Sequence, residues 1–271
     1  MLFSWLKQRR RRKILAEPFP AEWLAILRRN VPHYKLLTES EQAKLRDDVR
    51  VFIAEKNWEG CGGLVLTDEI RLTIAAQACL LVLAIEHDFY PMLMSILVYP
   101  AGYEAPSRTV IPGGLVIEGS SHRLGEAWYR GPVVLSWDAA HEGGRNPSDG
   151  KNVVFHEFAH QLDMLDRAFD GTPPLGSREQ YERWHDVMSA EFERLIAASD
   201  RGEATLLDQY GAADPAEFFA VATECFFERS AEMREQHPRM YEVMSEYYRQ
   251  NPAERAYPRP APPTLSNEIR T

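Results

Sequence analysis

Residues 156–160 read His-Glu-Phe-Ala-His, and no other stretch restricts the possible folds as sharply. With 8 histidines in 271 residues, an H-E-x-x-H is expected by chance only about 0.02 times. Its chemistry requires a helix, because positions four apart then share one face roughly 5–6 Å apart, and two imidazoles can converge on one zinc ion at about 2.0–2.1 Å. Val153, Val154, Phe158, Leu162 and Leu165 supply apolar anchors that hold such a helix against a core. Glu157, beside His156, projects near the metal without ligating it, as a general base towards water requires. The bland alternative is a helix with two partly exposed histidines and a solvated glutamate.

A catalytic zinc site usually takes three protein ligands and leaves a position open, so a third donor is needed. The candidate lies in Asp214-Pro215-Ala216-Glu217-Phe218-Phe219-Ala220, with Tyr210 seven residues before Glu217. The same residues spell a helix start, Asp214 as N-cap, Pro215 at the first turn and Glu217 three residues after the cap. Glu224, seven residues on, lies two turns along the same face and rivals Glu217 as ligand or hydrogen-bonds a histidine N–H. Asp163, three residues past His160, competes for that supporting role.

The rest of the chain frames this site. Apolar residues at helical spacing mark Glu39 to Lys56, after a Thr38-Glu39-Ser40-Glu41 start, and Ile70 to Ile85, which is apolar nearly all round and so reads as a buried helix. Short β-branched runs at Ile96 to Tyr99, Val110 to Glu118 with its Pro-Gly-Gly turn, and Val133 to Trp137 read as strands. Helical patterning returns at Asn152 to Asp166, Arg178 to Ser199, Pro215 to Arg229 and Arg234 to Gln250. The expected fold is therefore α+β, mainly helical with a small mixed sheet, one domain over residues 20–250. The basic run Arg9 to Lys13 and the prolines after Gln250 make residues 1–19 a flexible basic tail, with a weak membrane-surface or nucleic-acid contact as the alternative, and 251–271 a Pro-rich disordered tail.

Charge and cysteine content narrow the function. Asp+Glu at 40 against Lys+Arg at 31 gives a net charge of −9, which opposes direct nucleic-acid binding. The apolar run Ile74 to Ile85 is too short to span a bilayer. Cys61, Cys79 and Cys225 are scattered and odd in number, which suggests neither a cysteine metal site nor a disulfide framework and fits a cytoplasmic location. His87, His122, His141, His185 and His237 have no partner at ligand spacing.

The motifs HEFAHQLD (156–163), DQYGAADPAEFFAVATECFF (208–227) and GPVVLSW (131–137) make the chain resemble, from about residue 20 to 250, the Mlc titration factor A family of zinc metallopeptidases. The Tyr-to-Glu spacing and the EFFA run also look like the catalytic domain of anthrax lethal factor. The resemblance implies a zincin-like fold with a gluzincin-type site: one Zn2+ per chain held by His156, His160 and Glu217, with Glu157 as catalytic base and Tyr210 near the metal. It further implies aminopeptidase-like hydrolysis of peptide substrates and, in enterobacterial members, binding of the glucose repressor Mlc. Three functions compete on this basis: a zinc peptidase, a repressor-sequestering protein with a regulatory or vestigial metal site, and a zinc hydrolase of non-peptide amides. An extended peptide substrate would pair with an exposed strand, within either Val110 to Glu118 or Val133 to Trp137.

Overall fold

The computed structural model describes residues 2–110, 116–123, 125–127 and 131–255. Helices form where the sequence supplies both a start signal and a face to bury. α3 (Glu39–Glu55) opens on the expected capping box, with Thr38 and Glu41 each bonding the other's backbone N–H. α4 (Asp68–Leu81) is capped by Thr67 and buries eleven of its fourteen residues, so it forms the central helix of the core, although it ends four residues short of Ile85. α7 (Arg178–Asp200) and α8 (Pro215–Glu228) begin at Ser177 and Asp214, whose side chains each accept a hydrogen bond from the first helical turn.

The expected helix from Arg234 to Gln250 is two helices, α9 (Ser230–Gln236) and α10 (Pro238–Tyr248). Pro238 has no N–H to continue the first and sits at the opening of the second. α2 (Ala21–Asn30) and α5 (Trp137–Arg145) lie in segments not read as helical. α5 contains Gly143 and Gly144, poor helix formers that permit close approach: a Cβ on Gly143 would lie 3.0 Å from the Asn152 Cα. α5 thus packs directly against the start of α6 (Val153–Asp163), the helix carrying the metal motif.

The sheet is mixed, as expected. β1 (Asn57–Gly60), β2 (Ser95–Tyr99) and β6 (Val133–Ser136) pair in parallel, and β5 (Gly125–Ala127) adds antiparallel to β6, giving the order β1-β2-β6-β5. β6 therefore has a neighbour on each side and cannot accept an extended peptide, which corrects the expectation for Val133 to Trp137. The edge on that side is β5, which packs on α6. Trp137 belongs to α5, after Ser136 has turned from strand residue into helix cap. The Val110 to Glu118 run falls in an antiparallel pair, β3 (Tyr103–Val110) with β4 (Val116–Arg123); its Pro-Gly-Gly turn lies outside the described residues.

One continuous cluster of buried apolar side chains runs from Leu27 to Ala253. The segment expected to be a flexible basic tail contains α1 (Leu2–Ala16), pinned by Arg11 to Glu55 and Asp88 and by Lys7 to Asp88. Charged contacts of this kind leave no trace in an apolar pattern. In the expected C-terminal tail, Pro252–Glu254 forms a 3-10 turn that buries Pro252 and Ala253, and residues 256–271 lie outside the described residues. Among the described residues no helix is long and apolar enough to cross a membrane. Cys61, Cys79 and Cys225 are all unpaired.

Candidate metal centre

Asn152 sets the start of α6. Its side-chain oxygen accepts from the Val154 and Phe155 N–H groups at 3.1 and 3.0 Å, satisfying donors that a helix leaves open. Val154, Phe155, Phe158, Ala159 and Leu162 are buried, so one side of the helix is held in the core. His156 and His160 then share the opposite face, with ring centroids 4.9 Å apart.

α8 supplies the third donor. Glu217 Oε2 lies 2.9 Å from His156 Nε2 and 3.5 Å from His160 Nε2. The ligand atoms of His156, His160 and Glu217 all fall within 4.8 Å of one another. Four donors in a tetrahedron of radius about 2.0–2.1 Å are separated by roughly 3.3 Å, so the two histidine-to-Glu217 spacings of 2.9 and 3.5 Å suit a shared zinc ion. Two imidazoles and a carboxylate are also a donor set that zinc accepts. The other Glu217 oxygen accepts from the Tyr210 hydroxyl at 3.1 Å.

Glu217 and Glu224 differ in depth along α8. Seven residues at 1.5 Å each separate them by about 10 Å, and they reach opposite nitrogens of one ring: Glu224 Oε2 is 2.9 Å from His156 Nδ1. Its other oxygen accepts the Asn152 N–H at 2.6 Å. One turn further, Glu228 accepts from the N–H groups of Gly150 and Lys151 and from Asn152 Nδ2, each at 3.0 Å. At about 100° per residue, positions 217, 224 and 228 fall within roughly 40° of each other, so one stripe of α8 carries a candidate ligand, bonds the ring of a second candidate and clamps the loop before α6. Glu228 was not singled out from the sequence, although its i+4 spacing from Glu224 was visible.

The electrostatics follow from these contacts. Burial opposes charge on His156, but the Glu217 and Glu224 carboxylates outweigh it and hold the imidazole well above its ordinary pKa. Burial likewise works against ionised Glu217, and its hydrogen bonds with His156 and His160 overcome this to hold it well below the usual carboxylate range. Tyr210 is pushed up to about 12 by partial burial and by the Glu217 charge, so its phenol stays a donor across physiological pH. Glu228 is pushed well above the carboxylate range, chiefly by burial. Glu157 is 5% exposed, on the same helix as both histidines.

The far wall is a loop after α6. Asp163 does not support a histidine; its Oδ2 accepts the Gly171 N–H at 3.0 Å, and burial raises its carboxyl to about 6. Gly171 has φ +78°, and a Cβ there would lie 2.2 Å from the Pro215 carbonyl oxygen, so the loop is seated against the first turn of α8. It carries Phe169, half exposed, with its ring 5.2 Å from that of His160. Tyr210, also exposed, stands 6.0 Å from the His156 ring. Of the other histidines, His237 bonds Glu191 at 2.7 Å and His141 lies against Trp137, and the side chain of His122 lies outside the described residues.

A family model described as glucose-regulated metallo-peptidase M90 matches residues 5–249. A Synechocystis protein described as uncharacterized is 41% identical over 245 residues, covering 90% of this chain and 89% of its own. Mlc titration factor A of Serratia proteamaculans is 32% identical over 238 residues, 87% of this chain and 89% of its own. Mlc titration factor A of Yersinia pestis is 30% identical over 237 residues, 87% and 86%.

Proposed function

Because the chain belongs to the glucose-regulated metallo-peptidase M90 family, we propose that it is a zinc-dependent peptidase, aminopeptidase-like, working in the cytoplasm. His156, His160 and Glu217 would hold the ion. The observation that carries the reading is the convergence of their ligand atoms on the helix that also holds Glu157. When bound, zinc supplies Lewis acidity, polarising a carbonyl and acidifying water.

The chain's own groups supply the remaining steps. The Glu157 carboxylate takes a proton from the attacking water and delivers it to the leaving amine nitrogen. The Tyr210 hydroxyl donates a hydrogen bond to the substrate oxygen that gains negative charge. Glu224, accepting from His156 Nδ1, fixes the ring so that its Nε2 faces Glu217. Among the described residues β5 is the sheet edge beside α6, and that edge would offer an extended peptide a place to pair antiparallel or parallel.

Relatives named Mlc titration factor A support a second capacity, binding of an Mlc-type transcriptional repressor. One experiment separates the readings: zinc analysis of the purified protein, a panel of aminoacyl and peptide reporters, and a pull-down with the repressor. Zinc near one equivalent with reporter cleavage is the expected result. Zinc-loaded protein that cleaves no reporter yet retains the repressor would replace the peptidase reading with the binding one.

A further inference from the structure

α1 presents two different faces. Lys7, Arg11 and Ile14, at i, i+4 and i+7, are its partly buried stripe. Arg11 meets Glu55 at 2.6 Å and Asp88 at 2.7 Å, and Lys7 meets Asp88 at 2.7 Å. Arg50, from α3, donates to the Glu17 carbonyl at 2.6 Å and to that of Ile14. Ionic contacts thus orient the helix on the body of the protein.

The outward face has a different composition. Arg9, Arg10, Arg12 and Lys13 are exposed, and among the described residues no carboxylate pairs with them. Arg9 lies over the Trp5 ring at 5.6 Å, and Arg10 reaches only a backbone carbonyl, that of Ala54. Beside these cations stand Trp5, Leu6 and Leu15, which are 52%, 48% and 36% exposed. Met94, 64% exposed, lines the same depression as Leu6 and Arg10. Half of the eight large hydrophobic side chains that the described surface exposes therefore gather around one short helix. Four unpaired cations on a chain of net charge −9 form a local patch opposed to the overall field.

We propose that this face of α1 docks on an anionic lipid surface, with the guanidinium and ammonium groups on the headgroup phosphates and Trp5, Leu6 and Met94 in the interfacial layer. The combination decides the partner. Phosphate attraction alone would serve a nucleic acid as well, but exposed Trp, Leu and Met side chains gain only where an apolar depth lies behind the phosphates. At an anionic surface each basic residue strengthens binding about fivefold, so four give roughly 10³-fold before the apolar contacts are counted. Attachment of this strength is peripheral and weakens with salt.

The test uses the full chain and sedimentation with phosphatidylcholine vesicles, with and without a quarter of phosphatidylglycerol. The wild type should sediment with the anionic vesicles, remain free with the neutral ones and be released by raised salt. The double variant R9Q/R12Q, which leaves the contacts to Glu55 and Asp88 in place, should bind about 30-fold more weakly, with an unchanged melting temperature confirming the fold. Trp5→Ser should weaken binding while leaving its salt dependence intact. No binding to anionic vesicles, equal binding to neutral ones, or indifference to the double variant would overturn the proposal. So would tighter binding to duplex DNA than to the vesicles, which would assign the patch to a nucleic acid.

Discussion

Replacing Glu217 and Glu224, each by glutamine, measures how α8 divides its work. Glutamine keeps the length of the side chain and removes its charge. At position 217 the charge removed belongs to the carboxylate whose oxygen lies 2.9 and 3.5 Å from the two histidine Nε2 atoms, the proposed ligand group itself. Structural zinc sites bind with about 10–16 kcal/mol shared by four ligands, so one ligand accounts for roughly 2.5–4 kcal/mol, or about 10²–10³ in affinity. At position 224 both oxygens accept, one from His156 Nδ1 and one from the Asn152 N–H. A glutamine there can keep only one of those bonds and turns an amide donor towards the other. Loss of a charged acceptor costs about 1.5–3 kcal/mol, and the part that reaches the metal should remain within the 10–100-fold usual for groups that support a ligand. Competition for zinc against a chromophoric chelator at neutral pH reads both values. If Glu224→Gln lowers zinc affinity more than Glu217→Gln, the ligand assignment moves to Glu224 and Glu217 returns to a helix-capping role.

Glu157→Gln should keep zinc and lose almost all turnover, since the amide cannot take the water proton; reporter cleavage at the wild-type rate would remove Glu157 from the mechanism. Tyr210→Phe should lower kcat about 10²–10³-fold with zinc content unchanged, and unaltered kcat would make the phenol a packing group. Gly171→Ala forces a Cβ into the Pro215 carbonyl at φ +78° and should cost at least about 2 kcal/mol, or roughly 4–8 °C in Tm; a wild-type melting curve would show that the loop is not seated as described. Lys56, donating to the Tyr90 and Leu93 carbonyls, is lowered by burial from 10.5 to about 8. Between those values the unfolded chain holds more protons than the folded one, so stability relative to Lys56→Met should rise with pH through that window. Urea unfolding at stepped pH checks the sign, and a flat or falling difference contradicts it.

The parts legible in the sequence were those whose cause is local. α6 follows from H-E-x-x-H and its apolar anchors, α3 and α8 from their capping residues, and α4 from an apolar run bounded by Thr67. α1 reads as a tail from sequence because its inward stripe, Lys7 and Arg11, is charged and its partners, Glu55 and Asp88, lie 44 to 81 residues away. α5 was obscured by Gly143 and Gly144, which helical propensity disfavours and which close packing on α6 requires. β1 reads Asn-Trp-Glu-Gly, with only its tryptophan apolar, because it is an edge strand that tertiary pairing alone defines.

The candidate site was legible to the same degree and for the same reason. Ligand spacing within α6 is a property of a helix and can be read from five residues. Which glutamate of α8 comes nearest both histidine Nε2 atoms cannot, because positions 217 and 224 share a face, and only the packing of α6 against α8 separates them. That packing is set by Glu224 and Glu228, which hold the Gly150–Asn152 loop through four backbone and side-chain donors. The same loop caps α6 through Asn152. The start of α6 and the face of α8 are therefore tied together before either offers a donor to a metal, and Glu217, at the first turn of α8, meets His156 and His160 without a long flexible reach. A carboxylate as buried as Glu228 carries a desolvation cost; three hydrogen-bond donors offset only part of it, and the stripe of α8 stays in register with the histidine face of α6.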